Sequence, residues 1–207
     1  PYTTLFRSRR QKLDSRDYIE DELPAGYERM HNPLEPVYNE NSRILILGSF
    51  PSARSRENGF HYGDPKNRFW KLLARLFGEP VPADTAARKA LLLRRGIALW
   101  DVVAVCDIKG SSEQSIRNVV PADVNRILRA AEIQTVIANG DTAYRLYQKY
   151  CREYTGREAV KCPSTSPSNA IFTLERLADR WVEAVEPELW AAGAENSSQG
   201  SIRQSPE

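Results

Sequence analysis

A short apolar run restricts the folds open to this chain more than any other feature. The run reads RILIL at residues 43–47 and ends at Gly48. Apolar residues without polar alternation over such a length are typical of a strand buried on both faces, and strands of this kind belong to parallel sheets. Three more candidate strands follow at residues 97–106, 135–139 and 158–162. The chain is therefore expected to form a parallel sheet.

Helical patterns separate these strands. From Asn67 to Gly78, apolar residues recur with a period of 3.6, and the glycine ends the helix. Further helices are predicted at residues 84–95, from Pro121 onward, at residues 141–154 with Asp141 as the N-cap, and at residues 174–185. Strands that alternate with helices predict right-handed crossovers and an α/β fold whose parallel sheet is covered on both faces.

The two ends of the chain differ from its centre. Residues 1–29 are polar and rich in charge, and the first eight resemble translated vector or adaptor sequence. Because Met30 is the only methionine, we expect the native protein to begin there. Residues 191–207 have little to bury. We therefore expect a disordered tail there and a single domain over residues 30–190.

The composition argues against several classes of protein. No apolar run approaches the ~18 residues that a membrane span needs, and no signal peptide is recognisable. The three cysteines are far apart and form no CxxC pair, which argues against zinc and iron–sulfur sites and for free thiols inside a cell. We therefore expect a cytoplasmic monomer without a metal or cofactor. The net charge of +2 neither indicates nor excludes a nucleic-acid partner.

Unusual polar loops follow all four predicted strands. The first strand leads into GSFPS and an aromatic loop, the second into CDIKGSS, the third into Asn139-Gly140, and the fourth into PSTSPSNA at residues 163–170. Because ligands of parallel sheets bind beyond the carboxyl ends of the strands, these loops are expected to share one site. Serine, proline and glycine are also ordinary turn residues, which is the alternative explanation of their presence.

The residues of these loops favour a flat, polar ligand. Neither GxxxxGK[ST] nor GxGxxG occurs, which disfavours nucleoside triphosphate and dinucleotide sites. The only histidines, His31 and His61, have no evident relay partner. Aromatic side chains can stack on a planar ring, the amides of Asn67 and Asn139 can meet the edge of a base, and serine loops can hold phosphates. Asp101, inside the second strand, is either satisfied by backbone donors or part of the site.

Several motifs occur in an order that resembles a known family. They are GSFPS, GFHYGDPKNRFW, GIALWDVVA, SIRNVVPADV, NG and PSTSPSNA, spread over residues 32–181. The chain resembles the uracil-DNA glycosylase superfamily, and most closely its hypoxanthine-DNA (DNA-deoxyinosine) glycosylase branch. This resemblance implies a three-layer α/β/α fold with a short, mainly parallel sheet. It also implies a monofunctional enzyme of base excision repair, associated in a bacterium with the nucleoid. Such an enzyme flips a deaminated base, hypoxanthine or uracil, out of double-stranded DNA and hydrolyses its glycosidic bond.

The resemblance also implies roles for individual residues. Catalysis is assigned to Asn67, which positions water, and to Asn139, which reads the edge of the base. The other implied roles are base binding by Gly48, Ser49, Phe50 and Tyr62, and DNA binding by Ser52, Arg68, Ser164, Thr165, Ser166, Pro167 and Ser168. Two positions depart from the family pattern. Phe50 replaces an Asn or Asp that handles water in many members, and Asp64 replaces a histidine, where capping of the helix at Asn67 is the favoured role.

Three other functions are compatible with the sequence. A mismatch-specific uracil- or thymine-DNA glycosylase would differ only in the base that fits. A non-catalytic nucleic-acid-binding α/β domain is supported by Phe50, which cannot polarise water. A small-molecule α/β enzyme is the third alternative.

Overall fold

The computed structural model describes residues 23–197 of the chain, with side chains described for residues 23–185. Most of the predicted extension at residues 1–29 and the last part of the predicted tail lie outside the described residues. Strand β1 (Glu28–His31) begins before Met30. The domain boundaries proposed from the sequence stay predictions.

The described residues form seven strands and seven α-helices. After β1, the strands are β2 (Ile44–Gly48), β3 (Ile97–Asp101), β4 (Val103–Ile108), β5 (Arg117–Pro121), β6 (Thr135–Asn139) and β7 (Val160–Cys162). The helices are α1 (Ala53–Glu57), α2 (Phe69–Phe77), α3 (Thr85–Arg94), α4 (Asn125–Ala130), α5 (Asp141–Tyr150), α6 (Arg152–Thr155) and α7 (Leu174–Ser197). A short 3-10 helix spans Glu113–Ser115.

Four strands form a parallel sheet in the order β3-β2-β6-β7. Along β2, Ile44 and Ile46 pack on one side while Leu45 and Leu47 pack on the other, so the strand is buried on both faces. Helices α2, α3 and α7 pack against the first face, and α4 and α5 pack against the second. The predicted α/β fold with a short parallel sheet between helical layers is confirmed.

The end predicted for the second strand, at residue 106, is wrong. Strand β3 stops at Asp101, and the chain turns at Val102 into β4, which belongs to a separate antiparallel sheet of order β1-β4-β5. Val102 bonds to both sheets, because its N–H donates to Gly48 O (2.9 Å) and its carbonyl accepts from Ala122 N (2.8 Å). Only one charge interrupts the apolar run, and a single charge does not reveal a change of sheet.

Pro121 closes a strand and does not open a helix. It pairs with Val103 at the end of β5, and α4 begins only at Asn125. Proline is tolerated there because β5 is an edge strand, where a backbone N–H is not always needed for the ladder. The predicted start of this helix is therefore wrong, and part of the loop predicted before it is strand.

The single helix predicted at residues 141–154 is divided into α5 and α6 at Cys151. Its N-cap is Gly140, not Asp141. Gly140 has a φ of 102°, and a Cβ at this position would lie 2.7 Å from the Cβ of Ser164. A glycine is required because the loop after β7 packs directly against the end of β6.

Candidate active site

A cavity of about 140 Å³ lies beyond the carboxyl ends of the parallel strands. All of the residues proposed for the site from the sequence line this cavity, except Arg68 and Ser168. Six further residues line the cavity that were not among those proposed for base binding, DNA binding or catalysis: Pro51, Ser55, His61, Asp64, Asp101 and Glu113. The convergence of the four loops follows from the parallel sheet, because all of its strands end at one edge.

A chain of hydrogen bonds connects one wall of the cavity to the other. The Nδ2 group of Asn139 donates to Tyr62 Oη (2.9 Å) and to Thr165 Oγ1 (3.0 Å), and its Oδ1 accepts from Thr165 N (3.0 Å). The Thr165 hydroxyl in turn donates to Asn67 Oδ1 (2.8 Å). The side chain of Thr165 is fully buried, so this chain is shielded from solvent.

These contacts decide which end of Asn67 is available to a ligand. Its Oδ1 accepts from both Thr165 Oγ1 and Phe69 N (3.0 Å), which occupies both lone pairs. Its Nδ2 has no hydrogen-bond partner among the described residues. Asn67 therefore offers the cavity a donor and not an acceptor.

Asn139 differs from Asn67 in having no free donor. Both hydrogens of its Nδ2 group and its Oδ1 are engaged with Tyr62 and Thr165. In this arrangement Asn139 fixes the positions of Tyr62 and Thr165, and its base-reading role stays a prediction.

The two aromatic residues proposed to stack on a base differ in their surroundings. Tyr62 has a φ of 51° and stacks its ring on Phe69, with the centroids 3.9 Å apart. Burial, followed by the charge of Asp101, raises the pKa of the Tyr62 hydroxyl well above its usual range. The ring of Phe50 is buried in the core, and the guanidinium of Arg56 lies 5.5 Å from its centroid.

Arg68 holds residues 163–170, which we call the serine loop, against the start of α2. Its guanidinium donates to the carbonyls of Thr165 (3.3 Å), Asn169 (3.0 Å), Ser166 and Phe172. Its backbone N–H donates to Thr165 O (3.1 Å) as well. Arg68 therefore lies outside the cavity and positions the loop that contains Thr165 and Ser166.

The serines of the site contact mainly one another and the backbone. Ser52 is the N-cap of α1 and accepts from Ser55 N (3.2 Å), while Ser55 Oγ accepts from Gly63 N (3.0 Å). Ser168 is exposed, and its hydroxyl is hydrogen-bonded to Ser166 Oγ (2.8 Å). Of these serines, Ser52, Ser55 and Ser166 line the cavity.

Two residues of the cavity wall, His61 and Asp101, form a buried pair that was not predicted from the sequence. His61 Nδ1 lies 3.4 Å from Asp101 Oδ2, and His61 Nε2 lies 3.0 Å from Glu35 O. Asp101 also accepts from Asn32 Nδ2 (3.1 Å). The expectation that His61 has no relay partner is wrong, because its partner stands 40 residues further along, at the end of the neighbouring strand. Of the two roles left open for Asp101, the structure supports membership of the site.

Burial and hydrogen bonding have opposite effects on His61. Although burial alone would lower the pKa of this imidazole, the Asp101 carboxylate and the Glu35 carbonyl raise it above the ordinary value of 6.5. Lys89 opposes this rise to a smaller extent.

Glu113 brings a second carboxyl group to the cavity wall. Its Oε1 accepts from Ser49 Oγ (2.6 Å). Burial of the carboxyl group raises the pKa of Glu113, the hydrogen bond from Ser49 opposes this, and the charge of Asp101 adds to it. No signal in the polar loop singles out this glutamate, because its contact with Ser49 spans 64 residues.

Asp64 does not cap α2. Its Oδ1 accepts from Lys66 N (2.9 Å), and its carbonyl accepts from Asn67 N (2.9 Å), so it closes a turn before the helix. The side chain that meets the first helical N–H is that of Asn67, which bonds to Phe69 N.

Other kinds of site were searched for among the described residues. There, no group of three or more His, Cys, Asp or Glu side chains is arranged to hold a metal ion. The helices of the same part of the chain are too short or too polar to cross a membrane. The three cysteines are unpaired and buried, and burial raises the pKa of Cys106 to about 11. These thiols are therefore poor nucleophiles.

Residues 35–189 match the family model described as the uracil DNA glycosylase superfamily. The chain belongs to the uracil DNA glycosylase superfamily. The match spans the parallel sheet and every loop of the cavity, so the resemblance found in the motifs is confirmed.

Known members of the superfamily resemble this chain over most of its length. The hypoxanthine DNA glycosylase of Methanosarcina acetivorans is 34% identical over 143 residues, which is 68% of this chain and 89% of the relative. That of Methanosarcina barkeri is 34% identical over 154 residues, which is 72% of this chain and 94% of the relative. The solution NMR structure of a Methanosarcina acetivorans protein assigned to the uracil DNA glycosylases superposes with a TM-score of 0.61 at 31% identity. That match covers 72% of this chain and 94% of the other.

Proposed function

We propose that this chain removes hypoxanthine from double-stranded DNA, as a monofunctional enzyme of base excision repair. Membership of the superfamily and the similarity to two hypoxanthine DNA glycosylases identify the chain as a DNA glycosylase. The observation that carries the proposal is the cavity, in which one polar donor, an aromatic stack and the buried carboxyl group of Asp101 meet at the edge of the sheet. We expect it to act as a monomer.

DNA would dock at the rim through its phosphates. Three exposed cations, Arg54, Lys66 and Lys71, are close in sequence to residues that line the cavity. Binding through phosphates predicts an affinity that falls as salt rises. The target nucleotide then flips out at a cost of a few kcal/mol, least for a mispaired base such as hypoxanthine.

Base release follows from the geometry of Asn67. The bond between C1′ and the base breaks, its electron pair leaves with the base, and the sugar passes through an oxocarbenium-like state. Asn67 can donate a hydrogen bond to the oxygen of a water, but its amide is not a base that could remove a proton, and its occupied Oδ1 cannot accept a hydrogen bond from that water. The water therefore adds after positive charge has developed on the sugar, and its proton passes to the departing base or to solvent.

The cavity has no amine that could attack the sugar. No lysine is among its lining residues in the described part of the chain. A Schiff-base intermediate is therefore not available, and strand cleavage is not expected.

One assay tests the proposed function against its alternatives. The protein is incubated with duplexes that carry a single deoxyinosine, a single deoxyuridine or no lesion, and abasic sites are cleaved with alkali. Release from deoxyinosine supports the proposal, whereas release from deoxyuridine alone would assign a different base. Binding without release from any duplex would support a non-catalytic domain.

A further inference from the structure

Glu113 reaches the cavity from outside the parallel sheet. It lies in the short 3-10 helix between β4 and β5, two strands of the antiparallel sheet. Although the residue as a whole is exposed, it lines the cavity, and its Oε1 accepts from the hydroxyl of Ser49, a residue that is only 4% exposed. Its Oε2 has no hydrogen-bond partner among the described residues. One carboxyl oxygen of Glu113 is therefore available to a ligand.

The surroundings of Glu113 favour its protonated form. Burial of the carboxyl group raises its pKa, the hydrogen bond from Ser49 opposes this rise, and the charge of Asp101 adds to it. In the described part of the chain, no lysine or arginine lines the cavity to stabilise a second carboxylate beside Asp101. A protonated Glu113 can accept from Ser49 through Oε1 and donate through Oε2.

Asp101 is the contrasting carboxyl group of the same cavity. It accepts from Asn32 Nδ2 (3.1 Å) and lies 3.4 Å from His61 Nδ1, and both neighbours stabilise a carboxylate. Where two carboxyl groups of one site have surroundings that favour opposite protonation states, the protonated one is suited to act as an acid. In this cavity the protonated one is Glu113.

The other titratable groups of the cavity are less suited to give up a proton. His61 has both ring nitrogens engaged, one with Glu35 O and the other with Asp101. Tyr62 is a poor acid because burial raises the pKa of its hydroxyl. Asp64 is partly exposed to water in the turn before α2. Glu113 is thus the best placed proton donor.

We propose that Glu113 is the general acid of base release, and that it donates its proton to the ring nitrogen N7 of hypoxanthine as the bond to the sugar breaks. The inference rests on the proposed function and names a further catalytic residue for it. A single purine would occupy most of a cavity of about 140 Å³, so the polar groups of the wall lie next to the base. Uracil has no counterpart of N7, so acid assistance at this atom favours a purine as the leaving group.

Protons and electron pairs balance in this step. The electron pair of the bond between C1′ and N9 goes to the base, the proton from Glu113 Oε2 keeps the base neutral, and a carboxylate is left beside the positively charged sugar. The water held by Asn67 then forms a bond to C1′, and its proton returns Glu113 to the acid form. No co-reactant other than water is needed. A general acid typically raises the rate by about 10²- to 10⁴-fold.

The test compares Glu113→Gln with Glu153→Gln on a deoxyinosine duplex. Glutamine keeps an oxygen for the Ser49 hydroxyl but has no proton to transfer, so single-turnover release should slow by about 10²-fold or more at an unchanged melting temperature. Affinity for a duplex that carries uncleavable 2′-fluoro-2′-deoxyinosine should change little. Glu153 is exposed on α6 outside the cavity, and its variant, the control, should release base at the wild-type rate.

The pH profile of release is a readout that a purely structural role would not affect. The titratable groups that face Glu113 are Asp101, with His61 behind it, and Tyr62. As pH rises through the raised pKa of Glu113, the acid form is lost and release by the wild type should slow. Glu113→Gln should not show this fall. An equal fall in both proteins would belong to His61 or Tyr62 and would overturn the inference.

Ser49→Ala supplies a second test that leaves Glu113 in place. Because the Ser49 hydroxyl stabilises the ionised form of Glu113, its removal should move the fall in the normalised pH profile to higher pH. A fall that stays in place or moves to lower pH would contradict the assignment of the acid.

The outcomes separate the inference from the proposed function. If the wild type releases hypoxanthine from no duplex, the proposed function fails. If the wild type is active and Glu113→Gln matches its rate, or loses affinity for the uncleavable duplex as much as it loses rate, the inference fails and the function stands.

Discussion

Thr165 Oγ1 donates a hydrogen bond to Asn67 Oδ1 at 2.8 Å, joining residues 98 positions apart in the chain. The contact engages the oxygen of the Asn67 amide and leaves its nitrogen without a partner. Thr165, to which the resemblance assigns DNA binding, is a buried residue of the cavity wall. Its hydroxyl also accepts from Asn139, which makes it the junction of the hydrogen-bond chain.

Thr165→Val should impair the protein in two ways. Valine keeps the volume but leaves Asn139 without an acceptor and Asn67 without a donor, so the free energy of unfolding should fall by about 1–3 kcal/mol. Base release should also slow by about tenfold, since a loss of ~1.4 kcal/mol in positioning has that effect on rate. Urea denaturation and single-turnover release measure the two effects. Thr135→Val, at the opposite end of β6, is the control and should change neither.

Asn67→Ala should slow base release by about 10²-fold, because the attacking water is no longer held in position and misplacement of a reacting group typically has that effect. Affinity for an uncleavable duplex should change little, because the phosphate contacts remain. Single-turnover kinetics and a binding titration measure these quantities. Asn125→Ala, on α4, is the control, and release by Asn67→Ala at the wild-type rate would refute the catalytic assignment.

Ile171→Ser tests the role of the serine loop in opening the duplex. Ile171 follows this loop and is 77% exposed, more than any other large apolar side chain in the described part of the chain. We expect it to fill the space left by the flipped base, so its loss should lower release from duplex by roughly tenfold, which corresponds to ~1.5 kcal/mol of apolar burial. Release from single-stranded DNA and the melting temperature should not change. Val81→Ser, at another exposed apolar position, is the control; an equal loss there would argue against a specific role.

The stability of the protein should depend on pH through His61. Its pKa in the folded state is raised above 6.5, so its stabilising contribution is complete below the unfolded pKa and is lost as pH rises through the folded pKa. Melting temperatures across this window should decline in the wild type and not in His61→Gln. Because Asp101, Glu113 and Lys89 are present in both proteins, the difference between the two curves reports the contribution of His61. Parallel curves would mean that His61 does not change its protonation state across this window.

The parts of the fold that were predicted correctly depend on local patterns. The apolar run at residues 44–47 and the helical period after Asn67 indicate which faces are buried, because the spacing of apolar side chains follows burial. The change of sheet at Val102 was missed because both sheets bury the same kinds of residue. The role of Pro121 was missed because an edge strand and a helix start both accept proline.

For the site, the sequence by itself determined which residues would gather, because parallel strands deliver their loops to one edge. It did not determine what each residue does there. Whether an amide presents its oxygen or its nitrogen, and whether an aspartate in a strand has a partner, depends on contacts between residues far apart in the chain, such as Thr165 with Asn67 and His61 with Asp101. Only the tertiary structure decides these contacts, since they arise from packing and leave no periodic trace in the sequence.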